Sequence, residues 1–119
     1  MATSPLTHVR RICLALPEAT EKTAWGEPTF RVHDKMFAMY TDNHHGDGVI
    51  AVWCAAEPGA QDALVGADPR RFYVPPYMGP RGWIGVYLDR DPDWDLVAAI
   101  IQDAYRKIAP KRLSALLPA

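Results

Sequence analysis

This chain has no excess of positive charge. Its 119 residues carry 13 Lys and Arg against 14 Asp and Glu, a formal net charge of −1. Proteins that live on the phosphate backbone usually carry a strong basic excess, so any nucleic-acid site here must be a local patch. Serine is scarce, with only Ser4 and Ser114, and neither lies in a Gly-x-Ser-x-Gly elbow. That removes the usual nucleophile of triad hydrolysis. The two cysteines, Cys13 and Cys54, lie far apart and form no Cys-x-x-Cys pair. They read as two buried thiols in a reducing compartment. The longest apolar stretch, around Val49 to Ala56, is far too short to span a bilayer. The N-terminus has no basic region followed by an apolar run, so no secretory signal is expected. The expected compartment is the cytoplasm, with no membrane partner.

What is present is ordinary globular material. The composition is 49% hydrophobic and 23% charged, close to the average for folded domains. The length fits one domain, residues 1–119, which buries roughly two-thirds of its unfolded surface without staples. Eleven prolines and eight glycines punctuate it into short elements.

The pattern predicts a first helix with Thr3 or Ser4 as cap and Pro5 in its first position. Leu6, Val9, Ile12, Cys13 and Leu16 form its apolar face, and Pro17 stops it. Glu18 to Lys22 reads as a polar connection. Strands are expected at Thr29–Val32, Lys35–Thr41 and Val49–Cys54, with a tight turn at His33-Asp34 and a polar loop over Asp42 to Gly48. In the second strand, alternation places Met36, Ala38 and Tyr40 on one face and Phe37 and Met39 on the other. A short helix over Ala60 to Val65 precedes strands at Phe72–Val74 and Trp83–Leu88, with a stiff proline-rich loop between them. Asp91 is the expected cap of a last helix, with Pro92 in its first position. Leu96, Val97, Ile100, Ile101, Ala104, Tyr105 and Ile108 form its apolar stripe. Lys111 to Leu117 adds a short turn. The expected fold is α+β: two layers, an antiparallel five-stranded sheet with helices packed on one face, in the order α-β-β-β-α-β-β-α. The other sheet face is left for solvent, a ligand, a partner or a second copy of the chain.

Several patterns resemble chemistry and fail on detail. Asp89, Asp91, Asp93 and Asp95 alternate like a calcium loop, but Trp94 and Ile100 stand where glycine and glutamate are needed. His44 and His45 adjoin Asp42 and Asp47 without the four good ligands of structural zinc, and read as a solvated loop. Gly79-Pro80-Arg81-Gly82 matches the Gly-x-x-Gly of a KH clamp but joins strands, not helices. No dinucleotide fingerprint or phosphate loop appears. No catalytic residue, cofactor or metal is therefore expected.

Basic and aromatic residues interleave in two places. One comprises Trp25, Phe30, Arg31, His33 and Lys35; the other comprises Arg70, Arg71, Tyr73, Tyr77, Arg81 and Trp83. Arginine and lysine neutralise phosphates and flat rings stack on bases. Structural roles compete: the arginines with surface acids, and Phe30 and Trp83 with the core.

Leu16-Pro17-Glu18-Ala19-Thr20-Glu21, Trp25-Gly26-Glu27-Pro28-Thr29-Phe30-Arg31-Val32 and Lys35-Met36-Phe37-Ala38 resemble the first half of the MmcQ/YjbR family. Pro76-Tyr77-Met78-Gly79-Pro80-Arg81-Gly82-Trp83-Ile84 and Ala104-Tyr105-Arg106 resemble its second half. The resemblance covers nearly the whole chain in order. It implies a YjbR-like α+β domain and the label "DNA-binding" that many members carry. Applied to this sequence, it makes the chain an accessory or regulatory DNA-binding protein. Arg31, Lys35, Arg70, Arg71 and Arg81 are the expected phosphate contacts, with Tyr77 and Trp83 supporting the loop. The alternative is a small-molecule or protein-binding module on the open sheet face, with Trp25, Tyr40 and Trp83 lining a pocket. Either reading allows a monomer or a small homo-oligomer.

Overall fold

The computed structural model describes residues 3–118. Ser4 opens the first helix, α1 (Pro5–Leu14), its Oγ accepting from the Thr7 amide at 3.2 Å. Pro5 sits in the first turn, where its missing N–H costs nothing. Val9 and Cys13 are the buried stripe. The chain then forms β1 (Ala19–Ala24), β2 (Glu27–Val32), β3 (Lys35–Asp42), β4 (Ile50–Cys54), α2 (Ala60–Ala67), β5 (Phe72–Tyr73), β6 (Ile84–Tyr87), α3 (Trp94–Ile108) and α4 (Lys111–Ser114).

All strand pairs are antiparallel and the sheet order is β1-β2-β3-β4-β6-β5. The α+β fold with helices on a single sheet is as expected, but the sheet has six strands. The addition is β1, which the sequence presented as a polar connection. An edge strand pairs on one side only, so Thr20, Glu21, Lys22 and Thr23 can remain polar, with half of their backbone groups bonded to β2 and the other half open to water. The β1–β2 and β2–β3 connections are two-residue turns, Trp25-Gly26 and His33-Asp34, with positive φ at all four residues. This is the turn type whose twist suits antiparallel strands.

Two cross-strand rows give the sheet its helix-facing side: Phe30, Ala38, Cys54 and Ile84, then Tyr40, Val52, Val86 and Phe72. All eight are buried. Helices α1 and α3 lie against β3, and α2 lies against β5 and β6. The Tyr105 ring meets Phe37 edge-on at 5.4 Å, and its hydroxyl donates to the Pro17 carbonyl at 2.6 Å. Helix α3 starts two residues later than the sequence suggested. Asp93, not Asp91, caps it, accepting from the amides of Asp95 and Leu96 at 3.1 and 3.2 Å. Asp91 sits in the preceding loop at φ 50°.

Strand β3 carries a bulge that simple alternation does not anticipate. Arg31 pairs with Met36 and Phe30 with Ala38, leaving Phe37 as the extra residue. The expected faces therefore change partway along the strand. Phe37, Ala38 and Tyr40 belong to the helix-facing side, while Met36 and Met39, three apart in sequence, both reach the opposite face. No helix among the described residues is long and apolar enough to cross a membrane.

Candidate functional site

The face of the sheet away from the helices begins with the row Thr29, Met39, Trp53, Gly85 and Tyr73. Gly85 is required here. A Cβ at this position would lie 2.4 Å from the Tyr73 ring. Its absence lets the tyrosine lie across β6 and accept a hydrogen bond from the Trp53 indole N–H at 2.7 Å. Burial pushes the Tyr73 hydroxyl up to about 12. Tyr73 also stacks on Tyr87 at 4.6 Å, and the Arg90 guanidinium caps the Tyr87 ring at 3.7 Å.

Three connections rise over this floor and enclose a cleft of about 400 Å³, lined by Trp25, Met36, Met39, His44, His45, Trp53, Tyr77 and Met78. The first wall is the Trp25-Gly26 turn. Trp25 is 67% exposed and holds φ 54°. The second wall is the loop between β3 and β4. The Asn43 side chain accepts from the Gly48 amide at 2.8 Å, and that of Asp47 accepts from the Val49 amide at 2.9 Å. This stitching turns His44 inward, so the histidine pair that the sequence suggested was solvated has one buried member. His44 meets the Trp53 ring edge-on at 5.5 Å.

The third wall is the proline-rich loop before β6. Gln61 of α2 anchors it, donating to the carbonyls of Gly79 and Trp83 at 3.0 and 2.7 Å. Gly79 is needed as well, because a Cβ there would stand 2.6 Å from Val74. Tyr77 projects from this loop, 71% exposed at φ 66°. Its ring contacts His45 at 5.8 Å, and His45 contacts His44 at 4.1 Å. Two large exposed aromatic side chains, both on left-handed backbone, thus face one apolar cleft. Left-handed backbone is costly for residues of this size and concentrates at functional sites.

At one end of the cleft, Glu27 ties β2 to the end of β3 by accepting from the Asp42 amide at 3.0 Å. Its other oxygen stands 3.9 Å from His44 Nδ1, beyond hydrogen-bond length. Burial, then the charges of Asp42 and Asp47, raise the Glu27 carboxyl above its ordinary value. Burial, then His45, lower His44. A second groove of about 370 Å³ lies between α2 and α3, but its charged residues are already paired: Asp103 with Arg106 at 3.0 Å, and Glu57 with Lys107 at 3.8 Å.

The residues expected to contact phosphate do not form one patch. Arg31 lies on β2 with its side chain only 15% exposed, bonded to Thr29 Oγ1 at 3.1 Å and 3.9 Å from Asp34 Oδ1. Lys35 begins β3, nearby and exposed. Arg70 and Arg71 precede β5, four strand spacings from β2, or roughly 19 Å. Arg71 pairs with Asp68 at 3.2 Å. Arg81 is exposed on the Tyr77 loop, and Trp83 is buried beneath it. Of the three aromatics expected to line an open-face pocket, only Trp25 does so. Tyr40 lies in a helix-facing row and Trp83 is 5% exposed. The sequence reading missed Trp53, the two methionines of β3 and His44. The structure does join Trp25 and Tyr77, one from each basic-aromatic stretch.

Neither thiol has nucleophile character. Cys13 and Cys54 are free and buried, and burial pushes both well above the ordinary thiol range. No cluster of three or more His, Cys, Asp or Glu with metal-binding geometry occurs among the described residues.

The YjbR family model matches residues 14–107, from the end of α1 to the last turn of α3. The chain belongs to the YjbR family. A solved neighbour agrees on the fold of this YjbR domain. The crystal structure of Deinococcus radiodurans protein DR2400, carrying the domain DUF419, superposes with a TM-score of 0.69 at 19% identity. The match covers 83% of this chain and 74% of that one. No curated protein matches the sequence.

Proposed function

We propose that this YjbR domain is a binding module that holds a small apolar or aromatic ligand in the open-face cleft, without catalysing a reaction on it. The supporting observation is the pairing of Trp25 and Tyr77 across an apolar cleft. Exposed rings of this size, on backbone that disfavours them, do little for the fold. The volume lies within the range of small-molecule sites. A thermal-shift screen of aromatic compounds tests the reading. A ligand at about a hundred times its Kd adds about 2.7 kcal/mol of stability, and Trp25→Ala should remove that gain. Hits that stabilise wild type and Trp25→Ala equally would overturn it.

A second reading is DNA binding through a local basic and aromatic patch, in an accessory or regulatory role. Arg70 and Arg81 favour it. Both are exposed, and neither forms an ion pair among the described residues. Arg81 also shares its loop with Tyr77. Two phosphate contacts give a log–log salt slope near −1.8. Raising salt from about 50 to about 200 mM should therefore weaken binding roughly twelvefold. Fluorescence anisotropy with single-stranded and duplex DNA measures this. Absence of binding at low salt by the folded protein removes the reading.

A further inference from the structure

We infer that the cleft selects a small protonated amine carried on an apolar body. The inference rests on the ligand-binding reading above and names the ligand class.

His44 points to the ligand's polar group. Its side chain is only 7% exposed, lines the cleft and makes no hydrogen bond among the described residues. No buried side-chain nitrogen or oxygen is left unpaired among the described residues. An unbonded ring nitrogen of His44 therefore keeps solvent access, and the cleft is the cavity that this side chain lines. Burial and the neighbouring His45 keep the ring neutral at pH 7, so one nitrogen is an acceptor. An acceptor facing an apolar cleft calls for an N–H or O–H donor.

Charge distinguishes between those donors. Behind His44 stand the Glu27 carboxylate at 3.9 Å and, acting on Glu27, the carboxylates of Asp42 and Asp47. Of the cations, Arg81 is unpaired among the described residues but exposed on the Tyr77 loop, and those on the strands are further off or occupied. Arg31 is tied to Asp34 and Thr29. Lys22 pairs with Thr29, which pairs with Met39, so Lys22 lies two strands, or roughly 10 Å, from the cleft floor. The walls are the rings of Trp25, Trp53 and Tyr77, and aromatic faces attract cations. An ammonium in the cleft would donate to His44, lie among electron-rich rings and meet the field of three carboxylates. A carboxylate or phosphate in the same place would meet that field with the wrong sign.

Three probes of matched size separate the alternatives: phenethylamine, 2-phenylethanol and 3-phenylpropionate. Titration at pH 7.5, followed by the indole N–H signals of Trp25 and Trp53 in ¹H–¹⁵N spectra, gives site and affinity together. The amine should bind about tenfold more tightly than the alcohol, and the carboxylate most weakly. Glu27→Gln should reduce the preference for the amine while leaving the alcohol's affinity nearly unchanged. If that variant folds poorly, Asp47→Asn keeps the oxygen that accepts from Val49 and should reduce the preference in the same direction. An alcohol that binds at these indoles as tightly as the amine overturns the amine inference and leaves the cleft standing. If none of the three moves either indole, both the amine and the ligand-binding reading fall.

Discussion

The Trp53 indole N–H donates to the Tyr73 hydroxyl at 2.7 Å, across the bare backbone of Gly85. Trp53 is 1% exposed, so this bond satisfies a donor that has no water available. Tyr73→Phe should cost about 1–3 kcal/mol, the penalty of a buried unpaired donor. Gly85→Ala should cost a similar amount by forcing the ring aside. Urea unfolding monitored by Trp fluorescence measures both. Burial of the same hydroxyl sets an alkaline limit. The Tyr73 hydroxyl is raised to about 12 from an ordinary 10, so the folded state holds its proton more tightly than the unfolded state. Its contribution is complete below pH 10 and is lost as pH rises from about 10 to about 12. Tyr73→Phe should make the loss of stability across that window shallower. An unchanged pH profile would show that Tyr73 is not responsible.

Trp25 occupies the first position of a two-residue hairpin turn, where Asn is among the preferred residues. Trp25→Asn should therefore stabilise the domain by about 0.5–1 kcal/mol, because it relieves left-handed backbone at a bulky residue. For a chain of this size that is a few degrees in Tm. The same variant should lose ligand binding. Gain of stability with loss of binding is the signature of a residue kept for function. A destabilised Trp25→Asn would assign the ring to the fold.

The elements with strong periodic signals were legible in the sequence. The apolar stripe of α3 and the β-rich runs of β3, β4 and β6 needed no tertiary information. β1 was not legible, because a polar edge strand has the composition of a loop and is recruited by its neighbour's open hydrogen bonds. The bulge at Phe37 was hidden for a related reason. Which residue is left out of a ladder depends on the partner's register, so Met36 and Met39 seemed to face opposite ways. The cleft shared both problems. Trp25 and Tyr77 were visible as aromatics among basic residues, but only the sheet order brings their loops together. His44 looked solvated because it lies between polar residues, whose side chains cap the loop's own amides and turn it inward.

Gln61 links the helix layer to the ligand face. Its amide nitrogen donates to the carbonyls of Gly79 and Trp83, in the half of the loop that follows Tyr77. Gln61→Leu keeps the bulk and removes the donors. It should cost about 1–3 kcal/mol, because the two part-buried carbonyls lose a partner. It should also raise amide exchange over residues 77–82 relative to the β4 core. Global unfolding kinetics cannot mimic that local pattern. Uniform acceleration of exchange across the whole chain would show that the bond supports general stability and not the loop.

The cleft should respond to mild acid. His44 titrates below its ordinary 6.5 because burial and His45 disfavour the proton, so the unfolded chain protonates first as pH falls. The stability of the neutral-His44 state is fully present above pH 6.5 and is lost as pH falls through the folded value. Glu27 works in the opposite sense. Its raised carboxyl leaves its contribution complete below the ordinary 4.5 and diminished as pH rises through the folded value. Between pH 7 and pH 6 the histidine should dominate, since its window begins at 6.5. Urea midpoints should therefore fall over that range in wild type and flatten in His44→Asn. Histidine ring-proton NMR gives the independent check, with His44 titrating below 6.5 where burial controls it. A His44 midpoint at or above 6.5 would mean that the carboxylates of Asp47 and Glu27, and not burial, set the charge at this end of the cleft.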